Sequence, residues 1–174
     1  AKRRRLGLIV YGPGDGDACS SVDLRFAPTE NAAPAIIGAV DALEPSGETP
    51  LTAAVRAAAE VLGYHERPGI VVLVTDGKET CGGEPCALAS ELAKAANLTV
   101  HIIGFRVRGE HFDWDKKGRN DYTDATSVAR CLADQTGGKY VPAETVDDLV
   151  AALHQTLGCQ TISERTVPAR RRPS

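Results

Sequence analysis

The segment at residues 70–75 (IVVLVT) constrains the fold more than any other feature of this sequence. It is the most hydrophobic run of the chain, and polar residues do not alternate with its apolar ones, as they do in a strand with one face in water. An uninterrupted apolar run is typical of a central parallel strand that is covered on both faces. We therefore predict an α/β domain organised around this strand.

The residues after Thr75 continue in a regular order. The last helical segment carries Thr145 followed three positions later by Asp148, which is the spacing of a capping box. From Ile70 onward the order is strand, helix, strand, helix, strand, helix. This order predicts a doubly wound, mostly parallel sheet with helices on both faces. The expected helices are 87–96, 125–135 and 146–157, and the expected strands are 98–105 and 139–141.

The residues before Ile70 predict an antiparallel edge strand and two helices. Residues 6–11 form a short apolar run, a loop rich in glycine and aspartate follows, and residues 22–26 alternate apolar and polar side chains. A buried strand, a loop and a half-exposed strand predict an antiparallel pair at the edge of the sheet. The first helix is expected at residues 34–43, with Pro34 in its first turn.

The second helix is expected to open at Thr49-Pro50. Thr49 has the side chain of an N-cap, Pro50 suits the first helical position, and Gly63 suits the end of the helix. The apolar stripe of this helix would consist of Leu51, Val55, Ala58 and Leu62.

Five cysteines stand at positions 19, 81, 86, 131 and 159. The close pair in CGGEPC lacks the spacing of a redox-active motif, and no second pair or histidine cluster completes a zinc site. We predict a disulfide between Cys81 and Cys86, which indicates an oxidising compartment. Reduced thiols in a cytosolic protein are the alternative. The partners of Cys19, Cys131 and Cys159 stay open at this stage.

Charge and composition argue against several classes of protein. Hydrophobic residues make up 43% and charged residues 25% of the 174 residues, as in an ordinary globular domain. No apolar run approaches the roughly 20 residues of a membrane-spanning helix. The net charge of -3, with basic clusters at the two ends of the chain, does not indicate a nucleic-acid binder. The histidines are scattered, so they indicate packing or surface residues.

Two polar residues stand where an open α/β sheet binds ligands, beyond the carboxyl ends of its strands. Asp76 follows the central strand, and Thr49 offers a hydroxyl from another loop on the same side. A carboxylate and a hydroxyl supply the oxygen ligands that Mg²⁺ prefers. Each residue alone has a simpler explanation, a helix cap for Thr49 and a turn for Asp76-Gly77. Together they predict a cation site at one edge of the sheet.

Four segments carry a family resemblance in their order and spacing. They are GETPL at 47–51, VLVTDG at 72–77, IIGF at 102–105 and TGGKY at 136–140. With these segments the sequence resembles the von Willebrand factor type A (VWA) domain family over about residues 6–157. The segment CGGEPC, with Tyr11-Gly12 and Cys19 upstream, resembles a bacterial branch that is often found outside the cytoplasm.

The resemblance implies a Rossmann-like fold and a metal-ion-dependent adhesion site, or MIDAS, with ligands from three loops. Thr49 and Asp76 match two of these loops. Such a site holds Mg²⁺, or Mn²⁺ or Ca²⁺, and an acidic group of a protein partner fills an open coordination position. The third loop, Asp-x-Ser-x-Ser, does not occur in this sequence. In the family it follows a first strand that would precede Leu6.

We therefore expect an N-terminally incomplete VWA-like domain at 1–160, with weak or no cation binding by this chain, and a disordered tail at 161–174. The strands at 6–11 and 70–75 should then lie about 10 Å apart, with a strand-sized gap between them. The expected location is periplasmic or secreted, and a cytoplasmic location stays open.

The predicted function is that of a binding module rather than an enzyme. One alternative is a degenerate VWA scaffold that holds no metal. Another is an aspartate-based, Mg²⁺-dependent phosphotransferase, which Thr75-Asp76-Gly77 resembles faintly. Those enzymes carry a second aspartate two residues from the nucleophile, where this chain has Val74 and Lys78.

Overall fold

The computed structural model describes residues 4–12, 18–44, 46–76, 79–95, 97–105 and 125–158. None of the described helices has the length and apolar composition needed to cross a membrane. The elements are β1 (Leu6–Tyr11), a 3-10 turn (Ala18–Ser20), β2 (Val22–Thr29), α1 (Ala33–Asp41), α2 (Leu51–Leu62), β3 (Gly69–Thr75), α3 (Pro85–Ala95), β4 (Leu98–Phe105), α4 (Ala125–Gln135), β5 (Tyr140–Ala143) and α5 (Val146–Leu157).

The strands of the described residues form two sheets. β3, β4 and β5 form a parallel sheet in that order, with Thr75 opposite Gly104. β1 and β2 form a separate antiparallel pair, in which Tyr11 lies opposite Val22. The predicted α/β class, the parallel order and the antiparallel pair are therefore confirmed. Each could be predicted from the period of the apolar residues in its segment.

Helices pack on both faces of the parallel sheet. Successive residues of a strand point to opposite sides, so one strand can contribute side chains to two cores. On one face, Leu73 of β3 and Ile102 of β4 belong to a core that includes residues of α2, α3 and α4. On the other face, Ile103 of β4 and Ala143 of β5 pack with Ala152 of α5. The continuous apolar character of β4 thus reflects burial on two sides.

A cleft separates β1 from β3. It measures about 290 Å³ and is lined mainly by apolar side chains of β1, α2 and β3. Among the described strands, β3 pairs with β4 and β1 pairs with β2, so these two strands do not pair with each other. Ile70 and Val74 of β3 are each 39% exposed. The expectation that β3 is a central strand covered on both faces is thus wrong for the described residues, and the 10 Å separation stays a prediction.

Local signals explain where two of the helices begin and end. Thr145 and Asp148 form the predicted capping box at the start of α5. The Asp148 N–H donates to the Thr145 hydroxyl at 3.2 Å, and the Thr145 N–H donates to the Asp148 carboxylate at 3.0 Å. Gly63 ends α2 in the left-handed conformation, at φ 64°, which glycine adopts without steric cost. The tail expected at 161–174 lies outside the described residues.

Candidate functional site

The loop that follows β1 and the loop that precedes α2 touch each other beyond the carboxyl end of β1. Gly12 and Gly47 have positive φ values of 101° and 85°. A Cβ atom on Gly47 would overlap the carbonyl oxygen of Gly12. Glycine is required at this contact both by the backbone conformation and by the space. The contact brings the loop before α2 to the edge where β1 ends.

Thr49 and Thr80 join the loop before α2 to the loop after β3. The Thr49 N–H donates to Thr80 Oγ1 at 2.8 Å, and the Thr80 N–H donates to the Thr49 carbonyl at 3.2 Å. Asp76 follows β3 directly, at the start of the same loop. The loops that carry Thr49 and Asp76 therefore meet at one edge of the sheet. That their side chains bind one cation stays a prediction.

Thr49 is not the cap of α2, contrary to the interpretation of the sequence. The helix begins at Leu51, its N-cap position is Pro50, and no side chain of that position caps it. The Thr49 carbonyl instead accepts from the N–H groups of Leu51 and Thr80. The helix therefore starts one residue later than expected, and Thr49 does not occupy its N-cap position.

Glu79 caps α2 from a different loop. Its Oε2 accepts from the N–H and from the hydroxyl of Thr52, at 2.8 Å each, and its Oε1 accepts from the Cys81 N–H at 2.9 Å. Thr52 is the second residue of α2, where N–H groups lack partners within the helix and the helix dipole favours a negative charge. Sequence analysis missed Glu79, because a cap that comes from a distant segment leaves no short-range pattern.

Tyr11 bridges the cleft at the same edge. Its hydroxyl donates to the Val74 carbonyl at 2.9 Å. Burial raises the pKa of Tyr11 above its ordinary value, a hydrogen bond with Thr75 opposes this, and the negative charge of Asp76 adds to the rise. The hydroxyl is therefore protonated at neutral pH, and it lies close enough to Asp76 to sense its charge.

The disulfides contradict the predicted pairing of Cys81 with Cys86. Cys19 pairs with Cys81, and Cys86 pairs with Cys131. Cys86 lies in the first turn of α3, which packs against α4 and so meets Cys131. Cys81 precedes that helix and meets the turn that follows β1. The short spacing was misleading because α3 begins between the two cysteines; Cys159 lies outside the described residues.

His101 links two strands of the parallel sheet. Its Nδ1 accepts a hydrogen bond from the Lys139 N–H at 3.0 Å. Burial lowers the pKa of His101, and the positive charge of Lys139 lowers it further. The neutral ring thus ties β4 to the residue that precedes β5, far in sequence from the loops of the candidate site.

The oxygens of Thr49 and Asp76 suit a hard divalent cation in kind, because Mg²⁺ and Ca²⁺ prefer carboxylate, hydroxyl, carbonyl and water oxygens. They do not suffice in number. In the described part of the chain, no group of three or more His, Cys, Asp and Glu side chains could hold a metal ion. Thr49 and Asp76 would therefore contribute two ligands of an octahedral shell, and other oxygens would have to complete it.

Two proteins of Bacillus subtilis (strain 168) are similar to this chain in sequence. The uncharacterized protein YwmC is 35% identical over 115 residues, which are 65% of this chain and 44% of the relative. The uncharacterized protein YwmD is 28% identical over 161 residues, which are 87% of this chain and 66% of the relative. No protein-family model matches the sequence. The matched part of the chain thus spans 44% of the length of YwmC and 66% of the length of YwmD.

Three solved structures resemble the fold. The SpRpn10 VWA domain has a TM-score of 0.59 at 15% identity, over 91% of this chain and 75% of that chain. The chain has a von Willebrand factor type A-like fold. The conserved hypothetical protein BatB from Bacteroides thetaiotaomicron also gives 0.59, at 18% identity, over 88% and 77% of the two chains.

The third neighbour of this VWA-like fold is a metal-containing structure. It is proximal thread matrix protein 1 from the mussel byssus with a zinc-occupied MIDAS motif, at a TM-score of 0.58 and 17% identity, over 88% of this chain and 34% of that protein. At such identities the likeness concerns the fold alone. The metal belongs to the mussel protein, and the VWA-like chain described here shares only its fold.

Proposed function

We propose that this VWA-like chain is a protein-binding module, not an enzyme, and that Thr49 and Asp76 are ligands of a divalent cation such as Mg²⁺. The observation that supports the proposal is the reciprocal hydrogen bonding of Thr49 and Thr80, where Thr80 lies in the loop that Asp76 begins after β3. It joins two loops far apart in sequence, one carrying Thr49 and the other beginning with Asp76.

The proposed chemistry is recognition by charge and coordination geometry. The cation, when bound, supplies a coordination position that a carboxylate of a protein partner can fill. Asp76 would offset part of the cation charge with its exposed carboxylate. Thr49 orients the shell through a neutral oxygen. No bond is made or broken in this scheme.

Calorimetric titration of the complete protein with Mg²⁺ and Mn²⁺ tests the proposal. Asp76→Asn should weaken binding by more than the roughly 10- to 100-fold that loss of an outer-sphere partner costs. Thr49→Val should weaken it less, because it removes a neutral ligand. Asp147→Asn is the matched control, because Asp147 is equally exposed but lies in the first turn of α5. Equal affinities of Asp76→Asn and Asp147→Asn would refute the ligand role.

A second candidate is a scaffold without metal, which the small number of ligand side chains in the described residues favours. Under this alternative, the complete protein binds neither Mg²⁺ nor Mn²⁺, and Asp76→Asn leaves partner binding unchanged. A Mg²⁺-dependent phosphatase assay on the same variants addresses the phosphotransferase alternative, in which Asp76→Asn would abolish turnover.

We further propose a periplasmic or secreted location. The two disulfides support it, since such bonds persist in oxidising compartments and are rare in the cytosol. Alkylation of free thiols in freshly lysed cells, followed by mass spectrometry, tests it. Cys19, Cys81, Cys86 and Cys131 should resist alkylation until a reductant is added.

A further inference from the structure

Three consecutive residues after β3 each bind a different part of the molecule. Glu79 accepts hydrogen bonds from Thr52 in the first turn of α2. Thr80 forms the reciprocal pair with Thr49. Cys81 forms the disulfide with Cys19 in the turn after β1. We call residues 79–81 the loop clasp. The loop clasp begins three residues after Asp76 and contacts both the loop before α2 and the turn after β1.

We propose that Glu79 is a positioning residue for the candidate cation site, an inference that rests on the proposed function: by fixing the first turn of α2, its carboxylate sets where Thr49 lies relative to Asp76. Thr49 stands only three residues before Thr52, and the chain between them includes Pro50, whose φ is restrained by its ring. A shift of Thr52 is therefore transmitted to Thr49.

Glu79 is suited to this role by its charge and by its occupied lone pairs. Three donors surround the carboxylate at 2.8, 2.8 and 2.9 Å, and hydrogen bonds to an ionised acceptor are about twice as strong as neutral ones. Gly83 closes the site, since a Cβ atom there would overlap the hydroxyl of Thr52 and the carboxylate of Glu79. Glu79 is thus half-buried and engaged by three donors of the protein itself.

A double-mutant cycle on the complete protein tests the inference, with Mn²⁺ as the probe and Glu79→Gln and Thr49→Val as the two changes. Glutamine has the same shape but presents an N–H group to one of the three donors, so Glu79→Gln should weaken Mn²⁺ binding about tenfold. If Glu79 acts through Thr49, the same change in the Thr49→Val background should have little further effect. Additive losses would overturn the inference, because they mean that Glu79 acts independently of Thr49.

Hydrogen exchange gives a second readout that needs no cation. Glu79→Gln should raise the exchange rates of the Thr52 and Cys81 amides about tenfold, while the exposed Glu84→Gln in the same loop should leave them unchanged. Unchanged protection of both amides in Glu79→Gln would overturn the inference. If Glu79→Gln does not fold, Thr52→Val removes one donor of the same contact, and unchanged Thr52 exchange there has the same meaning. Absence of Mn²⁺ binding by the unmutated protein, with faster exchange in Glu79→Gln, would refute the proposed function and leave the positioning role standing.

Discussion

The parallel half of the molecule and the antiparallel pair are held in place in different ways. The parallel half, made of β3, β4, β5, α3 and α4, contains most of the fully buried side chains, such as Leu88, Ile102 and Leu132. The antiparallel pair of β1 and β2 is separated from β3 by a cleft. It is attached by packing against α2, by the hydroxyl of Tyr11 and by the Cys19–Cys81 disulfide.

This difference predicts where single substitutions should affect stability most. In the parallel half, stability is spread over many apolar contacts, so loss of any large buried side chain should weaken the whole unit. At the junction with the antiparallel pair, a few discrete bonds hold the two parts together. The candidate site lies at that junction, because Thr49, Asp76 and the loop clasp all stand at the edge that the two parts share.

The largest expected effect is a core substitution in the parallel half. Leu132→Ala should lower the free energy of unfolding by about 2–5 kcal/mol, because Leu132 is fully buried in α4 and its loss leaves a cavity. Leu24→Ala in β2 should cost less than about 1 kcal/mol, because Leu24 is 44% exposed. Urea unfolding of both variants measures the difference. Equal losses would mean that the antiparallel pair is as tightly packed as the parallel half.

The sequence predicted the parallel half well and the junction poorly, for a physical reason. Apolar period and helix caps are local, so β4, α4 and the capping box of Thr145 could be expected from neighbouring residues alone. The exposure of Ile70 and Val74 could not, because an uninterrupted apolar run does not reveal how many strands lie beside it. The pairing of Cys86 with Cys131 depends on how α3 packs on α4, which is a tertiary contact.

The two disulfides allow a matched comparison of the two parts. Removal of Cys19–Cys81 by a double Cys→Ala change should cost about 2–4 kcal/mol, and so should removal of Cys86–Cys131, because both close long loops, with sequence separations of 62 and 45. Their local effects should differ. Hydrogen exchange should rise in β1 and in residues 79–81 for the first pair, and between α3 and α4 for the second. Identical exchange patterns would show that the junction is not a separate unit.

The sequence indicated two of the four residues discussed at the candidate site. Thr49 and Asp76 stood out because Thr49 precedes a predicted helix and Asp76 follows a predicted strand, and their sharing of one cation stays a prediction. Glu79 and Tyr11 did not stand out, since a carboxylate in a loop and a tyrosine at a strand end have no short-range signature. Both act on residues more than 25 positions away, Thr52 and Val74, so that only the folded chain reveals their partners.

The smallest expected effect concerns the hydroxyl that bridges the cleft. Tyr11→Phe removes the hydrogen bond to the Val74 carbonyl and should cost about 1 kcal/mol at neutral pH. Tyr140→Phe is the control, because Tyr140 lies in the parallel half and its pKa is likewise raised by burial. Hydrogen exchange in β1 should increase in Tyr11→Phe and stay unchanged in Tyr140→Phe.

The pH dependence of this effect follows from the pKa of Tyr11, which burial raises in the folded state. The folded protein keeps the phenolic proton longer than the unfolded chain, whose tyrosines titrate near pH 10. The contribution of Tyr11 to stability is therefore complete below about pH 10 and is lost as the pH rises through the folded pKa. The stability difference between the unmutated protein and Tyr11→Phe should thus be constant from neutral pH to about pH 9 and shrink above pH 10. A difference that does not change over this range would mean that Tyr11 is solvated, and that the junction between the two parts is looser than its hydrogen bond indicates.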